Sequence, residues 1–122
     1  MRNMEDIVKL SLLYDFYGAL LTEKQREYFE LHYFNDLSLN EIAQHFNVTR
    51  QGVFDIIHRS LEFLKQCEEK LGLVERYLKQ KKVLERIKSQ LEEIRPYINS
   101  EGSGILERAI RDLEKLVKEG WE

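Results

Sequence analysis

Apolar residues recur every three or four positions along most of this chain, the spacing that places them on one face of an α-helix. The first such run predicts a helix over residues 4–20. The apolar residues along its one face are Ile7, Leu10, Leu13, Tyr14 and Tyr17, followed by Leu21. The sequence has no segment in which apolar and polar residues alternate, and no turn pair typical of a β-hairpin. The pattern therefore predicts an all-α protein.

Capping and helix-breaking residues divide the rest of the pattern into further helices. Thr22 with Gln25, and Ser38 with Glu41, have the spacing of capping boxes, and Thr49 is the N-cap expected of a fourth helix. Asn47 ends the third helix, because asparagine tolerates a left-handed backbone. The predicted helices after the first cover residues 22–33, 39–46, 49–70, 73–95 and 105–118, with Pro96 ending the fifth and residues 99–104 forming a linker.

The segment 37–64 joins two of these helices through a turn of three residues, Phe46-Asn47-Val48. A short turn of this kind sets two helices at the steep angle of a helix-turn-helix. The side chains expected to fill the core between them are Ile42, Phe46, Val53, Ile56 and Ile57. Ala43 is small where the two helices cross closest, and Val48 is expected to plug the turn. We therefore predict a helix-turn-helix within a domain that spans residues 1–71, followed by a C-terminal helical extension over residues 72–122.

The opposite face of the second helix of the pair carries the residues that a helix-turn-helix inserts into the major groove of DNA. These candidate nucleic-acid-binding residues are Thr49, Arg50, Gln51, Phe54, His58 and Arg59. Arg50 suits guanine and Gln51 suits adenine. Asp55 opposes phosphate, and we expect it to hold Arg50 or Arg59 instead. The alternative interpretation is that this face is a solvated surface of a three-helix unit.

These residues resemble two known groups of proteins. The segment LTEKQREYFELHYFNDLSLNEIAQHFNVTRQGVFDIIHRSLEFLK is similar to region 4 of bacterial sigma factors. The chain resembles the YlxM family of helix-turn-helix proteins more closely, through LYDFYGALLT at 13–22, YFNDLSLNEIA at 33–43 and FNVTRQGV at 46–53. The resemblance covers roughly residues 7–95 and weakens after Gly72. It implies a bacterial, cytoplasmic protein that has no known catalytic activity and that binds DNA or acts as a regulator. Genes of this family typically neighbour those of the signal recognition particle, which implies a role in that protein-targeting pathway.

Charge complicates the prediction of DNA binding. The net charge is −3, and residues 1–70 hold eight basic and twelve acidic residues, whereas binding to phosphates requires basic groups. The extension carries a basic cluster that consists of Lys79, Lys81, Lys82, Arg86 and Lys88. We expect this cluster to contact phosphate or RNA, or else to be a solvated helix face.

The extension also has an apolar stripe, which consists of Leu73, Tyr77, Leu84, Ile87, Leu91, Ile94 and Ile98. Such a stripe must be buried against a partner. The last helix supplies one partner, and a second copy of the chain supplies another. We therefore expect a homodimer.

Two hypotheses for the function follow. The first is a regulatory protein that binds double-stranded DNA through Arg50, Gln51, Phe54 and Arg59. The second is an accessory protein that does not bind DNA and contacts the RNA or the GTPase of the signal recognition particle. The second hypothesis predicts that neutralising Lys79, Lys81 and Lys82 has the larger effect.

The sequence contains no pattern typical of a catalytic, metal or cofactor site. The histidines His32, His45 and His58 lie on different helices without the spacing of metal ligands, and Cys67 has no identifiable activating partner. The aromatic residues of the first two helices are interpreted as core. We expect no enzyme activity, no metal and no cofactor. No apolar run reaches the roughly 20 residues that cross a bilayer, the N-terminus has no signal-peptide pattern and one cysteine suits a reducing cytoplasm.

Overall fold

Six α-helices form most of residues 4–119, which are the residues that the computed structural model describes, with side chains from 6 to 118. Two short 3-10 helices, Gly18–Leu20 and Arg95–Tyr97, follow the first and fifth α-helices. The α-helices are α1 (Met4–Tyr17), α2 (Glu23–Tyr33), α3 (Leu39–Phe46), α4 (Arg50–Leu71), α5 (Leu73–Ile94) and α6 (Ser100–Glu119). No strand occurs in this range, and the predicted all-α fold is confirmed.

The predicted caps form at the starts of α2, α3 and α4. The Thr22 hydroxyl accepts from the Gln25 backbone N–H (3.2 Å), and the Gln25 side chain accepts from the Thr22 N–H (2.9 Å). Ser38 and Glu41 form the same reciprocal pair at 3.1 and 2.9 Å. The Ser38 N–H that binds the Glu41 carboxylate holds the pKa of Glu41 below its usual range. Both capping boxes are therefore confirmed.

The predicted linker over residues 99–104 is wrong, because α6 already begins at Ser100. The side-chain oxygen of Asn99 accepts a hydrogen bond from the Gly102 N–H (2.9 Å), so Asn99 is the N-cap of the helix. Glu101 in the first turn complements the positive end of the helix dipole. These local interactions offset the cost of helical glycine, which is about 1 kcal/mol relative to alanine.

The first helix is shorter than predicted because the chain tightens into a 3-10 turn at Gly18. A β-carbon at Gly18 would lie only 3.0 Å from the ring of Tyr14. Glycine at this position therefore lets the Tyr14 ring pack directly against the end of α1.

The chain forms two compact units, Met1–Val74 and Glu75–Glu122. Buried residues of the first unit form two clusters, and α2 contributes to both of them through the consecutive residues Tyr28 and Phe29. The first cluster consists of Tyr17, Leu21, Phe29, Leu64 and Val74. The second consists of Tyr28, Ile42, Ala43, Val53 and Ile57. The helix α2 therefore joins the helix-turn-helix to the packing of α1.

Aromatic side chains surround Phe29, which is fully buried. Its ring centroid lies 4.6 Å from that of Tyr33, 5.4 Å from that of Tyr14 and 5.9 Å from that of Phe34. The interpretation of the aromatic residues as core is confirmed for Phe29, Tyr17 and Tyr28, whereas Phe34 remains partly exposed at the edge.

A shared carboxylate organises the junction between α4 and α5. The Tyr17 hydroxyl donates to Oε1 of Glu68 (2.6 Å) and accepts from the Leu73 N–H (3.1 Å). The Val74 N–H donates to the same Glu68 oxygen (3.0 Å). Gly72 makes the turn between the helices with a left-handed backbone (φ 63°). The first N–H groups of α5, which have no partner within the helix, are therefore satisfied by α1 and α4.

In the second unit, α6 runs antiparallel to α5. Ion pairs link Arg95 to Glu107 (2.8 Å) and Lys88 to Glu114 (3.8 Å). The buried apolar residues of α6 are Leu106 and Ile110.

We expect Tyr17→Phe to lower the free energy of unfolding by about 1–3 kcal/mol, because it leaves the Leu73 N–H without its acceptor and removes one of the donors to the Glu68 carboxylate. Urea unfolding followed by circular dichroism measures this loss. Tyr97→Phe is the matched control, since Tyr97 is 86% exposed and its hydroxyl is solvated. Equal stability of the Tyr17→Phe variant and the wild type would contradict the role of this network.

Stability should also fall at alkaline pH. Burial, followed by the hydrogen bond to Glu68, raises the pKa of Tyr17 from 10.0 to about 12. A phenol whose pKa is raised by folding stabilises the protein fully below pH 10, and this contribution is lost as the pH rises through 10 toward 12. Urea unfolding at pH 8 and pH 11 should show a larger loss for the wild type than for Tyr17→Phe. An equal loss in both proteins would contradict the assignment.

Candidate nucleic-acid interface

The helix-turn-helix consists of α3 and α4 packed through the second buried cluster. Asn47 ends α3 with a left-handed backbone (φ 55°), and the Val48 N–H donates to the Ala43 carbonyl (3.0 Å). The prediction that Val48 plugs the turn is wrong, since its side chain is 40% exposed. A backbone hydrogen bond closes the turn instead.

All six predicted nucleic-acid-binding side chains are exposed on or beside the first three turns of α4. Successive residues of an α-helix advance by about 100° around its axis. By this geometry, four side chains share one outward sector, and Arg50 and Arg59 flank the sector on opposite sides. We call this sector the α4 outer stripe, and it consists of Gln51, Phe54, Asp55 and His58.

The α4 outer stripe is ordered by contacts one helical turn apart. The rings of Phe54 and His58 are stacked, with centroids 5.6 Å apart and planes at 8°. The Gln51 amide donates to the Asp55 carboxylate (2.9 Å). The predicted pairing of Asp55 with an arginine is wrong, since no ion pair within residues 6–118 joins Asp55 to Arg50 or Arg59. Gln51 lies one turn from Asp55, whereas Arg50 points to another side of the helix.

The N-terminus of α4 differs from those of α2 and α3 in its charge. The first turns of α2 and α3 contain Glu23 and Glu41, whereas the first turn of α4 contains no acidic residue and begins with Arg50. Thr49 caps only one backbone donor, the Gly52 N–H (3.0 Å). The positive end of this 22-residue helix is therefore open to an anion such as phosphate. Sequence reasoning missed this backbone site, although the lack of an acidic residue in the first turn was a visible signal.

The other candidate groups have structural contacts. His32 Nδ1 lies 2.8 Å from the Leu37 carbonyl, and His45 packs edge-on against Phe46. Cys67 is half-buried against the first cluster. Within the described part of the chain, no group of three or more histidine, cysteine or acidic side chains is placed to hold a metal ion. None of the described helices is long and apolar enough to cross a membrane.

The basic cluster of α5 is partly neutralised by neighbouring carboxylates. Lys79 pairs with Glu75 (3.0 Å), and Lys88 pairs with Glu114 (3.8 Å). The members that form no ion pair among residues 6–118 are Lys81, Lys82 and Arg86, of which Lys81 is half-buried. The structure therefore leaves two exposed cations of this cluster, Lys82 and Arg86, without an ion pair among residues 6–118, rather than five.

Comparisons with known proteins agree with this geometry. Residues 4–101 match the family described as "UPF0122: Putative helix-turn-helix protein, YlxM / p13 like". A UPF0122 protein of Thermoanaerobacter sp. (strain X514) is 46% identical over 113 residues, which cover 92% of this chain and 97% of the relative. A UPF0122 protein of Geobacillus kaustophilus is 47% identical over 88 residues (72% and 80%), and one of Acetivibrio thermocellus is 42% identical over 116 residues (94% and 99%).

The predicted resemblance to YlxM proteins is thereby confirmed at high identity over most of the chain. The match is to a helix-turn-helix family and not to a family of enzymes. The chain therefore belongs to the UPF0122, or YlxM / p13-like, family of helix-turn-helix proteins.

Proposed function

We propose that this protein is a regulatory protein that binds double-stranded DNA by inserting the N-terminal half of α4 into the major groove. The observation that carries the proposal is the exposed start of α4, which combines Arg50 with a first turn free of acidic residues. The buried side chains of Val53 and Ile57 fix the rotation of α4, so the α4 outer stripe faces away from the protein.

Each exposed side chain suits a particular part of the groove. Arg50 and Gln51 match the hydrogen-bonding edges of guanine and adenine, and Asp55 matches the amino group of cytosine. The apolar ring of Phe54, supported by His58, matches a thymine methyl group. Arg59 on the flank matches a phosphate, as do the backbone N–H groups at the helix start.

Gln51 must give up its hydrogen bond to Asp55 to contact a base. Both side chains are exposed, so water or the base replaces the lost bond at a small cost, on the order of 1 kcal/mol. The hydrogen bond between Gln51 and Asp55 therefore orders these side chains in the free protein and does not prevent them from contacting bases.

The acidic balance of the domain restricts how DNA can approach. The outward side of α2 carries Glu23, Glu27 and Glu30, which repel phosphate from that side of the unit. The exposed cations in the first three turns of α4 are Arg50 and Arg59, so we expect the protein to neutralise only one or two phosphates. Each neutralised phosphate contributes about −0.9 to the slope of log affinity against log salt, so the slope should lie at about −1 to −2.

A second proposal is an accessory role in the signal recognition particle pathway through contacts with RNA. Its support is the resemblance to YlxM proteins together with the exposed cations Lys82 and Arg86. The ion pairs at Lys79 and Lys88 reduce the charge that this surface offers to RNA. We therefore rank this proposal below DNA binding.

Fluorescence anisotropy with a labelled pool of random-sequence DNA duplexes tests the first proposal. The wild type should bind at low salt, and Arg50→Ala/Arg59→Ala should weaken binding by about tenfold or more and make the salt slope shallower by about one, which is the contribution of the phosphate contact assigned to Arg59. Selection of tight binders from the same pool would then define the preferred sequence.

The matched control is Lys79→Ala/Lys82→Ala, which also removes two exposed cations and should change the affinity by no more than about twofold. Circular dichroism checks that both variants keep their helices. Loss of duplex binding in the α5 variant but not in the α4 variant would contradict the proposal. Binding of a structured RNA without any binding of duplex would favour the second one.

A further inference from the structure

His58 lies where the α4 outer stripe would leave the major groove of DNA. It follows Gln51 by seven residues, which places it about 10 Å farther along the helix axis. A recognition helix contacts base edges with its N-terminal residues, and the major groove is about 8.5 Å deep. With the start of α4 at the base edges, the His58 side chain is therefore level with the phosphates at the rim of the groove.

The His58 ring is held by one neighbouring ring and is otherwise available to a ligand. It lies parallel to the ring of Phe54 one helical turn earlier, with planes at 8° and centroids 5.6 Å apart. The nitrogens of an imidazole bond within the plane of the ring, so stacking does not block either of them. Within residues 6–118, His58 forms no hydrogen bond or ion pair, and its side chain is exposed.

The acidic groups that face His58 belong to α4 itself. Asp55 lies three residues before it and Glu62 four residues after it, so both carboxylates share its side of the helix. Glu62 forms an ion pair with Lys65 (3.9 Å), which reduces its charge, whereas Asp55 forms no ion pair among the described residues. No carboxylate of the described parts of α1, α2 or α3 lies within ion-pair distance of His58. The charge that opposes phosphate at this point is therefore that of Asp55.

We propose that His58 binds a DNA phosphate in its protonated form, so that the affinity of α4 for duplex rises as the pH falls. A protonated imidazole donates from both nitrogens, and a charge-assisted hydrogen bond to phosphate is stronger than a neutral one. The positive charge also offsets that of Asp55. This inference rests on the proposed binding of DNA through α4.

Histidine is the residue type on this interface that responds to pH in the physiological range. Its side chain ordinarily gains a proton between pH 8 and pH 5, whereas arginine and aspartate side chains ordinarily keep their charges there. Phosphate favours the protonated ring, so each complex takes up a proton. The contribution of His58 to binding is therefore fully present at the acidic end of this range and is lost as the pH rises.

Fluorescence anisotropy of the full chain with the pool of random-sequence duplexes, at pH 5.5 and at pH 8, tests the proposal. The wild type should bind about tenfold more tightly at pH 5.5. Its slope of log affinity against log salt should be steeper by about one at pH 5.5, because one more phosphate is neutralised.

Three variants assign the effect to its residue. His58→Gln should lose both pH effects, because its side chain cannot gain a charge. His58→Arg carries a permanent charge that can also stack on Phe54, so it should bind at pH 8 about as tightly as the wild type binds at pH 5.5. The matched control is His45→Gln, which removes an exposed histidine of α3 and should keep the pH effects of the wild type. Circular dichroism at both pH values checks that all variants stay helical.

The outcomes separate this inference from the proposed function. Duplex binding by the wild type that is equal at the two pH values, or a pH effect that persists in His58→Gln, overturns the inference and leaves DNA binding through α4 intact. Loss of the pH effect in His45→Gln alone also overturns it. Failure of the wild type to bind duplex at either pH contradicts both proposals.

Discussion

The buried line of α4 is the constraint on which the rest of this structure depends. One continuous helix supplies Val53 and Ile57 to the cluster of the helix-turn-helix and Leu64 to the cluster that contains α1. Ser60 lies on the same line and is fully buried. Its small side chain suits the close approach of other helices, and its buried hydroxyl is satisfied because it donates to the Ile56 carbonyl (2.7 Å).

The same constraint determines what α4 presents to solvent. With its buried line fixed by two clusters, the helix cannot rotate without exposing core residues, and the α4 outer stripe keeps one orientation. The hydrogen bond between the Tyr17 hydroxyl and the Glu68 carboxylate also fixes the C-terminal end of α4 against α1. Insertion into a groove is favoured by a rigid helix with an exposed, cationic start. Folding has already ordered such a helix, so DNA binding loses less conformational entropy.

Local sequence signals predicted much of this architecture. The capping boxes at Thr22 and Ser38 and the asparagine at 47 act within one or two turns, so their effects were readable from the sequence. The errors arose where distant or competing contacts decide the outcome. Asn99 caps a helix in a stretch whose serines and glycines indicated a linker, and the turn at Val48 is closed by a backbone hydrogen bond while the Val48 side chain stays 40% exposed.

The sequence predicted which residues of the candidate site are exposed, but it did not predict which of their side chains contact one another. Periodicity placed Phe54 and His58 on the outward side, while the choice of Gln51 as the partner of Asp55 depends on side-chain reach. The Tyr17–Glu68 network joins residues 51 positions apart and had no local signal. The basic cluster of α5 looked continuous in the sequence, yet ion pairs in the folded chain occupy part of it.

The most direct test of the central claim is to locate where a DNA duplex touches the folded protein. Backbone amide chemical shifts, measured by NMR during titration with a short duplex chosen from a random pool, report this residue by residue. The account predicts that the largest changes occur from Thr49 to Arg59, with small changes over the acidic side of α2. Shifts concentrated in α5, with none at the start of α4, would contradict it.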